Sequence, residues 1–191
     1  MTPYDAFDDP YCYKGTSVLK NKAGIRDQVR LDGFELEMSS LRAKEAPPVG
    51  TFDARHYRAL HRHLFQDVYS WAGRYRTVRT AKGGNVFCYP EHIDSEMRKL
   101  FARLAQAPFV DSNRGAFVSG AASFLAELNA IHAFREGNGR VQLTFMHLLS
   151  VWAGHPLDFA KLHPQRFLKA MIISFGGDIA PLERELKRLL R

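Results

Sequence analysis

Apolar residues recur at helical spacing in six separate stretches, and that repetition constrains the fold more than any other feature of the chain. Tyr57, Leu60, Leu64 and Val68 form one set, and Ile93, Met97, Leu100 and Leu104 a second. Phe117, Ala121, Phe124, Leu128 and Ile131 run over four turns, and Val141, Phe145, Leu148, Leu149 and Trp152 follow. Leu168, Met171, Ile172 and Phe175, then Leu182, Leu186, Leu189 and Leu190, complete the series. Each set falls on one face of a helix and reads as core. A further helix is expected over Gly24 to Lys44, ended by Ala46-Pro47-Pro48-Val49-Gly50. One interval breaks the rhythm. Residues Arg76 to Tyr89 are rich in β-branched and aromatic side chains, with Gly83-Gly84 at the centre and Pro90 at the end, which predicts a β-hairpin. The expected architecture is mainly α, about seven helices with one hairpin, and a lone hairpin must pack on helices or accept another strand. The first ~20 residues, with Pro3, Pro10 and Gly15, read as an irregular arm. A chain of 191 residues is long enough for one domain with a real core, and residues 1–191 are read as one.

Composition narrows the class. No stretch approaches the roughly 18 apolar residues of a membrane span; the longest candidate, Leu143 to Ala153, contains His147 and Ser150. The acidic opening, with no apolar run, predicts no secretory signal. Two cysteines far apart, Cys12 and Cys88, argue against a disulfide framework or a cysteine zinc site, so a cytoplasmic location is expected. The net charge of +7 is compatible with a solvated basic surface, a phosphate site or an acidic partner. It is dispersed, with no block of like charges, so direct nucleic-acid binding is not expected.

The chemistry lies in the connector Ile131-His-Ala-Phe-Arg-Glu-Gly-Asn-Gly-Arg140, between two of the amphipathic stretches. Two glycines let the backbone take positive φ and come close to a ligand. Backbone N–H groups before a helix, with its positive dipole end, form an anion cradle. Asn138 can favour a tight turn and donate side-chain N–H groups, and Arg140 offers a planar fork to phosphate oxygens. Glu136 suits magnesium, which takes one or two carboxylates alongside phosphates. His132 can accept a proton near neutral pH. Together these point to phosphoryl-type transfer; on residue types alone, a glycine-rich helix–helix turn with a surface histidine stays open. Neither a Walker loop nor a His-Glu-x-x-His zinc helix is present.

His132 to Arg140 closely resembles the Fic motif, H-[PA]-F-x-[DE]-G-N-G-R-x-x-R. The resemblance extends along nearly the whole chain. Asp9-Pro10-Tyr11 and Leu19 to Ile25 resemble the opening of short bacterial Fic toxins, His61 to Gly73 their helix before the hairpin, and Arg79 to Phe87 their flap. The resemblance implies a Fic fold and a protein adenylyltransferase that moves AMP from ATP, with Mg2+, onto a protein hydroxyl. His132 would be the base and Glu136 the magnesium ligand. Gly137, Asn138, Gly139 and Arg140 would bind the nucleotide, and Phe134 would anchor the loop. Arg79, Lys82 and Phe87 would dock an extended target segment on the flap. It also implies a toxin of a toxin–antitoxin pair, acting on the B subunits of DNA gyrase and topoisomerase IV.

Two departures qualify that picture. Position 133 is Ala where Pro is common, with little effect expected. Position 143 is Leu where the motif has a second Arg, about one turn beyond Arg140. Weakened AMP transfer, compensation by a residue such as Arg135, or a different nucleotide donor would each follow. A decayed domain that only holds a nucleotide or an antitoxin is the alternative. Ser123 to Glu127 has the spacing of the family's inhibitory [ST]-x-x-x-E-[GN] motif, but Leu128 follows it and it lies within an expected helix. It is read as ordinary helix, so a small separate antitoxin is the expected inhibitor.

Overall fold

The computed structural model describes residues 9–107, 109 and 112–191. Seven α-helices appear among them: α1 (Gln28–Ala43), α2 (Ala54–Phe65), α3 (Pro90–Gln106), α4 (Arg114–Ile131), α5 (Asn138–Trp152), α6 (Pro164–Phe175) and α7 (Ala180–Leu189). A short 3-10 turn covers Phe159–Lys161. Local chemistry sets the starts. Asp53 accepts the His56 N–H at 2.7 Å and Asn113 the Ala116 N–H at 2.9 Å, while α3, α6 and α7 each carry Pro in the first turn. The helix expected from Gly24 begins four residues later. Gly24 has φ +68° in a turn that the Asn21 amide ties to Ile25, and Asp27 caps α1 by accepting the Arg30 N–H.

Helix α4 is the centre, packed by α3, α5, α6 and α7, and α2 lies between α1 and α5. Phe145 of α5 is fully buried, with the rings of Phe52, Tyr57, Phe101 and Phe124 at 5.5–5.7 Å. Among the described residues, no helix is long and apolar enough to cross a membrane.

Two elements differ from expectation. Regular hairpin pairing is confined to β1 (Ala81–Lys82) and β2 (Asn85–Val86), around Gly83-Gly84 with φ +58° and +83°, as a two-residue type I′ turn requires. The rest of Arg76 to Tyr89 is held by the Arg76 side chain and by backbone bonds from Arg76 to Ala133 and from Cys88 to Ala130. The expected irregular arm packs on the body from Asp9 onward; its first eight residues lie outside the described residues. Cys12 and Leu19 form an antiparallel bridge, both are buried, and Tyr11 meets Trp71 edge-on at 5.5 Å. The buried residues here, Cys12, Val18 and Leu19, follow neither a helical nor an alternating spacing, so the sequence does not signal this packing.

Candidate active site

The connector from α4 to α5 is fixed at every residue that the sequence singles out. His132 is the C-cap of α4, in left-handed conformation at φ 49° and ψ 59°. A non-glycine residue there costs about 1–3 kcal/mol and must be held by its surroundings. Its ring stacks on Phe87 at 3.9 Å and 10° and is largely buried. Burial, then the charges of Arg76 and Lys82, push the imidazole down to about 3, so it is neutral at physiological pH.

Phe134 is fully buried and stacks on His61 at 3.8 Å. Asn138 closes the loop on itself: its Oδ1 accepts the Phe134 N–H at 3.0 Å and its Nδ2 donates to the Phe134 carbonyl at 2.7 Å. Of the two roles expected for Asn138, the turn-forming one engages both ends of its side chain. Gly137 begins α5 at φ 81°, and a Cβ there would lie 2.4 Å from the Phe65 ring. Gly139 differs: a Cβ would meet nothing within 4 Å. Its glycine therefore answers no packing need and leaves open space.

That space belongs to a cleft of about 670 Å³ lined by His132, Gly139, Gln142, Leu143, Lys82 and Phe87, with an apolar far wall from α6. Gln142 is buried and its Nε2 has no partner. A buried unpartnered donor costs about 1–3 kcal/mol, a deficit that a ligand oxygen removes. Leu143 lines the cleft, so an arginine in its place would reach into it.

Arg140 does not line this cleft. One guanidinium nitrogen donates to the Glu35 carboxylate of α1 and another to Ser39 Oγ at 3.0 Å, with the Phe65 ring 4.7 Å beneath. Tyr69 also donates to Glu35. The expected phosphate fork is thus held toward α1. Glu136 Oε1 accepts the Gly137 N–H at 2.7 Å and lies 4.0 Å from Arg140. Burial and the nearby Glu35 raise the Glu136 carboxyl above the usual range. No cluster of three or more metal-type ligands occurs among the described residues. A lone carboxylate at the loop fits magnesium, which takes its remaining ligands from phosphates and water.

Three further candidates take positions that the sequence left open. Phe87 was expected to dock a target, but it is buried between His132 and Phe175 and serves as the platform for the imidazole. Arg135 was a possible compensating phosphate ligand. It is 2% exposed and donates from Nε to Asp9 at 2.5 Å, joining the N-terminal arm to the loop. Arg79 lies over the Tyr89 ring at 4.2 Å, outside the cleft, whereas Lys82 lines it. The Ser123–Glu127 segment is helical, and Glu127 pairs with Arg103 of α3.

Residues not singled out by sequence do much of the holding. Buried Arg76 donates to the carbonyls of His132 (2.8 Å), Val78 (2.7 Å), Cys88 (2.6 Å) and Ile131 (3.2 Å). It thereby joins the hairpin to the C-terminal end of α4, where a cation is favoured. His61 accepts the Gly73 N–H at Nδ1 and donates from Nε2 to the Glu136 carbonyl, both at 2.9 Å. A polar residue on the apolar face of α2 is the only signal the sequence offers for it.

Comparison with known proteins places this geometry. The profile of the Fic/DOC family matches residues 51–150. A protein named probable protein adenylyltransferase y4lH, from Sinorhizobium fredii, is 56% identical over the full length of both chains. The protein adenylyltransferase VbhT of Bartonella schoenbuchensis is 34% identical over all of this chain and 41% of its own length. The crystal structure of the effector BepC from Bartonella tribocorum, solved with bound AMPPNP, superposes with TM-score 0.86 at 29% identity, covering 95% of this chain and 96% of that one.

Proposed function

The chain belongs to the Fic/DOC family, and from that premise we propose that it is a protein adenylyltransferase that transfers AMP from ATP to a hydroxyl of a target protein. The observation that carries the reading is the neutral His132 imidazole at the same cleft as the open space over Gly139 and the unpartnered Gln142 amide. His132 accepts the hydroxyl proton as the hydroxyl oxygen attacks the α-phosphorus. A new phosphorus–oxygen bond forms, the bond to the β-phosphate bridge breaks, and pyrophosphate leaves. A polyphosphate in the cleft opposes the Arg76 and Lys82 charges and so raises the proton affinity of the imidazole when substrate is bound. Glu136 would hold Mg2+, which neutralises phosphate charge when bound. Asn138 and Gly139 contribute backbone N–H groups at the start of α5, while the Gly137 N–H is held by the Glu136 carboxylate.

The finer assignment is part of the same proposal. A cytoplasmic toxin restrained by a small separate antitoxin, acting on the gyrase and topoisomerase IV B subunits, is supported by the resemblance to short bacterial Fic toxins. The ordinary helical role of Ser123–Glu127 also supports an inhibitor supplied by another chain.

A second reading, a nucleotide-binding domain with weak or lapsed transfer, is favoured by two observations. Leu143 stands where a phosphate-binding arginine is usual, and Arg140 is engaged by Glu35. Transfer of label from ATP marked at the α-phosphate onto gyrase B subunit separates the readings. Label lost in His132→Ala and raised in Leu143→Arg supports AMP transfer. ATP binding with no label from either the wild type or Leu143→Arg supports the second reading.

A further inference from the structure

A second concave site lies away from the cleft. A groove of about 760 Å³ runs between the outer face of α2 and the turn that follows it, lined by Lys22, Arg55, Arg58, Arg62 and Arg74. All five are exposed. Arg55, Arg58 and Arg62 form one ridge at i, i+3 and i+7, about 10 Å long at 1.5 Å per residue. The opposite wall is rigidly joined to that ridge. Arg58 Nε donates to the Gly73 carbonyl at 2.9 Å, and its guanidinium lies 5.0 Å from the Tyr75 ring. Gly73, at φ +80°, packs so close to α2 that a Cβ would sit 2.9 Å from the Arg62 Cβ.

The charges are uncompensated. Among the described residues no carboxylate pairs with Arg55, Arg58, Arg62 or Arg74. The one carboxylate lining the groove, Asp67, is taken by both ends of the Arg42 guanidinium at 2.6 and 2.9 Å. Like charges gathered this closely repel one another, and a ligand of opposite sign relieves that repulsion. The surface is therefore complementary to several negative charges on one short segment.

We propose that this groove docks an acidic segment of a partner protein. The form of the groove favours such a segment over nucleic acid. Its ridge of cations is only about 10 Å long, short for a stripe that follows a phosphate backbone. Among the described residues it also lacks an exposed aromatic platform for bases, since Tyr69 is buried and Tyr75 lies under Arg58. The groove lies outside the AMP-transfer cleft. It is linked to the catalytic loop through His61, which binds Gly73 at the groove wall and the Glu136 carbonyl of the loop, and through Tyr69, which lines the groove and donates to the Glu35 carboxylate that holds Arg140.

Fluorescence anisotropy of the full chain with a short labelled peptide rich in Asp and Glu tests the proposal. The variant Arg55→Ala/Arg62→Ala/Arg74→Ala should bind the peptide about tenfold more weakly, since each exposed charge contact contributes a factor of about two to five. Lys169→Ala/Arg184→Ala/Lys187→Ala removes the same charge from exposed positions on α6 and α7 and should leave affinity within about twofold. Equal weakening in both triple variants would mean diffuse attraction to net charge and would overturn the site, as would failure of the wild type to bind the peptide. A short duplex DNA that binds more tightly than the peptide, and is released by the groove variant, would replace the acidic segment with nucleic acid. Unchanged thermal melting of both variants ensures that the comparison reads the surface and not the fold.

Discussion

The catalytic loop and the hairpin that covers it sit about the same histidine but are built in opposite ways. From His132 to Arg140, nearly every residue is buried or bonded: Phe134 on His61, Asn138 on Phe134, Gly137 against Phe65, Arg135 to Asp9. The hairpin has only two paired residues on each strand, and its tip is exposed. Its base is attached through the buried Arg76 side chain, the Phe87 ring and two backbone bonds, Arg76 N–H to the Ala133 carbonyl and Cys88 N–H to the Ala130 carbonyl. Groups that must hold position against a reacting phosphate are set in the core, where rotamers and backbone are over-determined. A surface suited to pairing with a variable segment keeps unpaired edges and little packing of its own.

Several substitutions sharpen or break this contrast. The largest effect is expected from His132→Ala, which should lower AMP transfer by about 10²- to 10⁴-fold, the usual contribution of a general base, with the melting temperature nearly unchanged. Residual transfer close to wild type in a single-turnover label assay would remove His132 from the chemistry.

The two motif glycines should separate next. Gly137→Ala meets the Phe65 ring and a positive φ, and should lose roughly 2–4 kcal/mol in urea unfolding. Gly139→Ala has open space around it and should be as stable as wild type or up to about 1 kcal/mol more stable, yet transfer poorly because the methyl enters the phosphate cradle. Equal stability loss in both would contradict the distinction drawn between them.

Arg76→Met should cost about 2–3 kcal/mol by leaving the carbonyls of His132, Val78, Cys88 and Ile131 without their donor. Hydrogen exchange should show protection lost across residues 77–89 while α5 stays protected. By contrast, Val86→Lys at the exposed tip should change stability by no more than about 0.5 kcal/mol.

Acid should act on the buried loop first. His61 and His132 are each held near 3, against an ordinary 6.5, chiefly by burial. Below 6.5 the unfolded chain binds protons that the folded chain does not. Stability from these two groups is therefore fully present above about pH 6.5 and is lost as pH falls toward 3, by up to about 1.4 kcal/mol per pH unit for each imidazole. His61→Asn should flatten that slope in denaturant titrations between pH 6 and 4; an unaltered slope would place the acid sensitivity elsewhere.

Much of this protein is determined by its sequence alone. Helix number and most helix positions follow from apolar periodicity, because a 3.6-residue repeat is local and each stretch carries it independently. The reactive loop is legible for a similar reason: consecutive His, Glu, Gly, Asn and Gly encode backbone freedom and donor groups within a few residues of chain. What only the tertiary structure decided are the pairings between distant residues. Arg76 reaches carbonyls up to 56 residues away, and Arg140 meets Glu35 across 105 residues. The same holds for Phe87, which the local pattern offers equally to a target or to the core, and which the core takes. The sequence places each charge and ring on an element, but which of them meet depends on how the helices cross, and that is set by packing of the whole core.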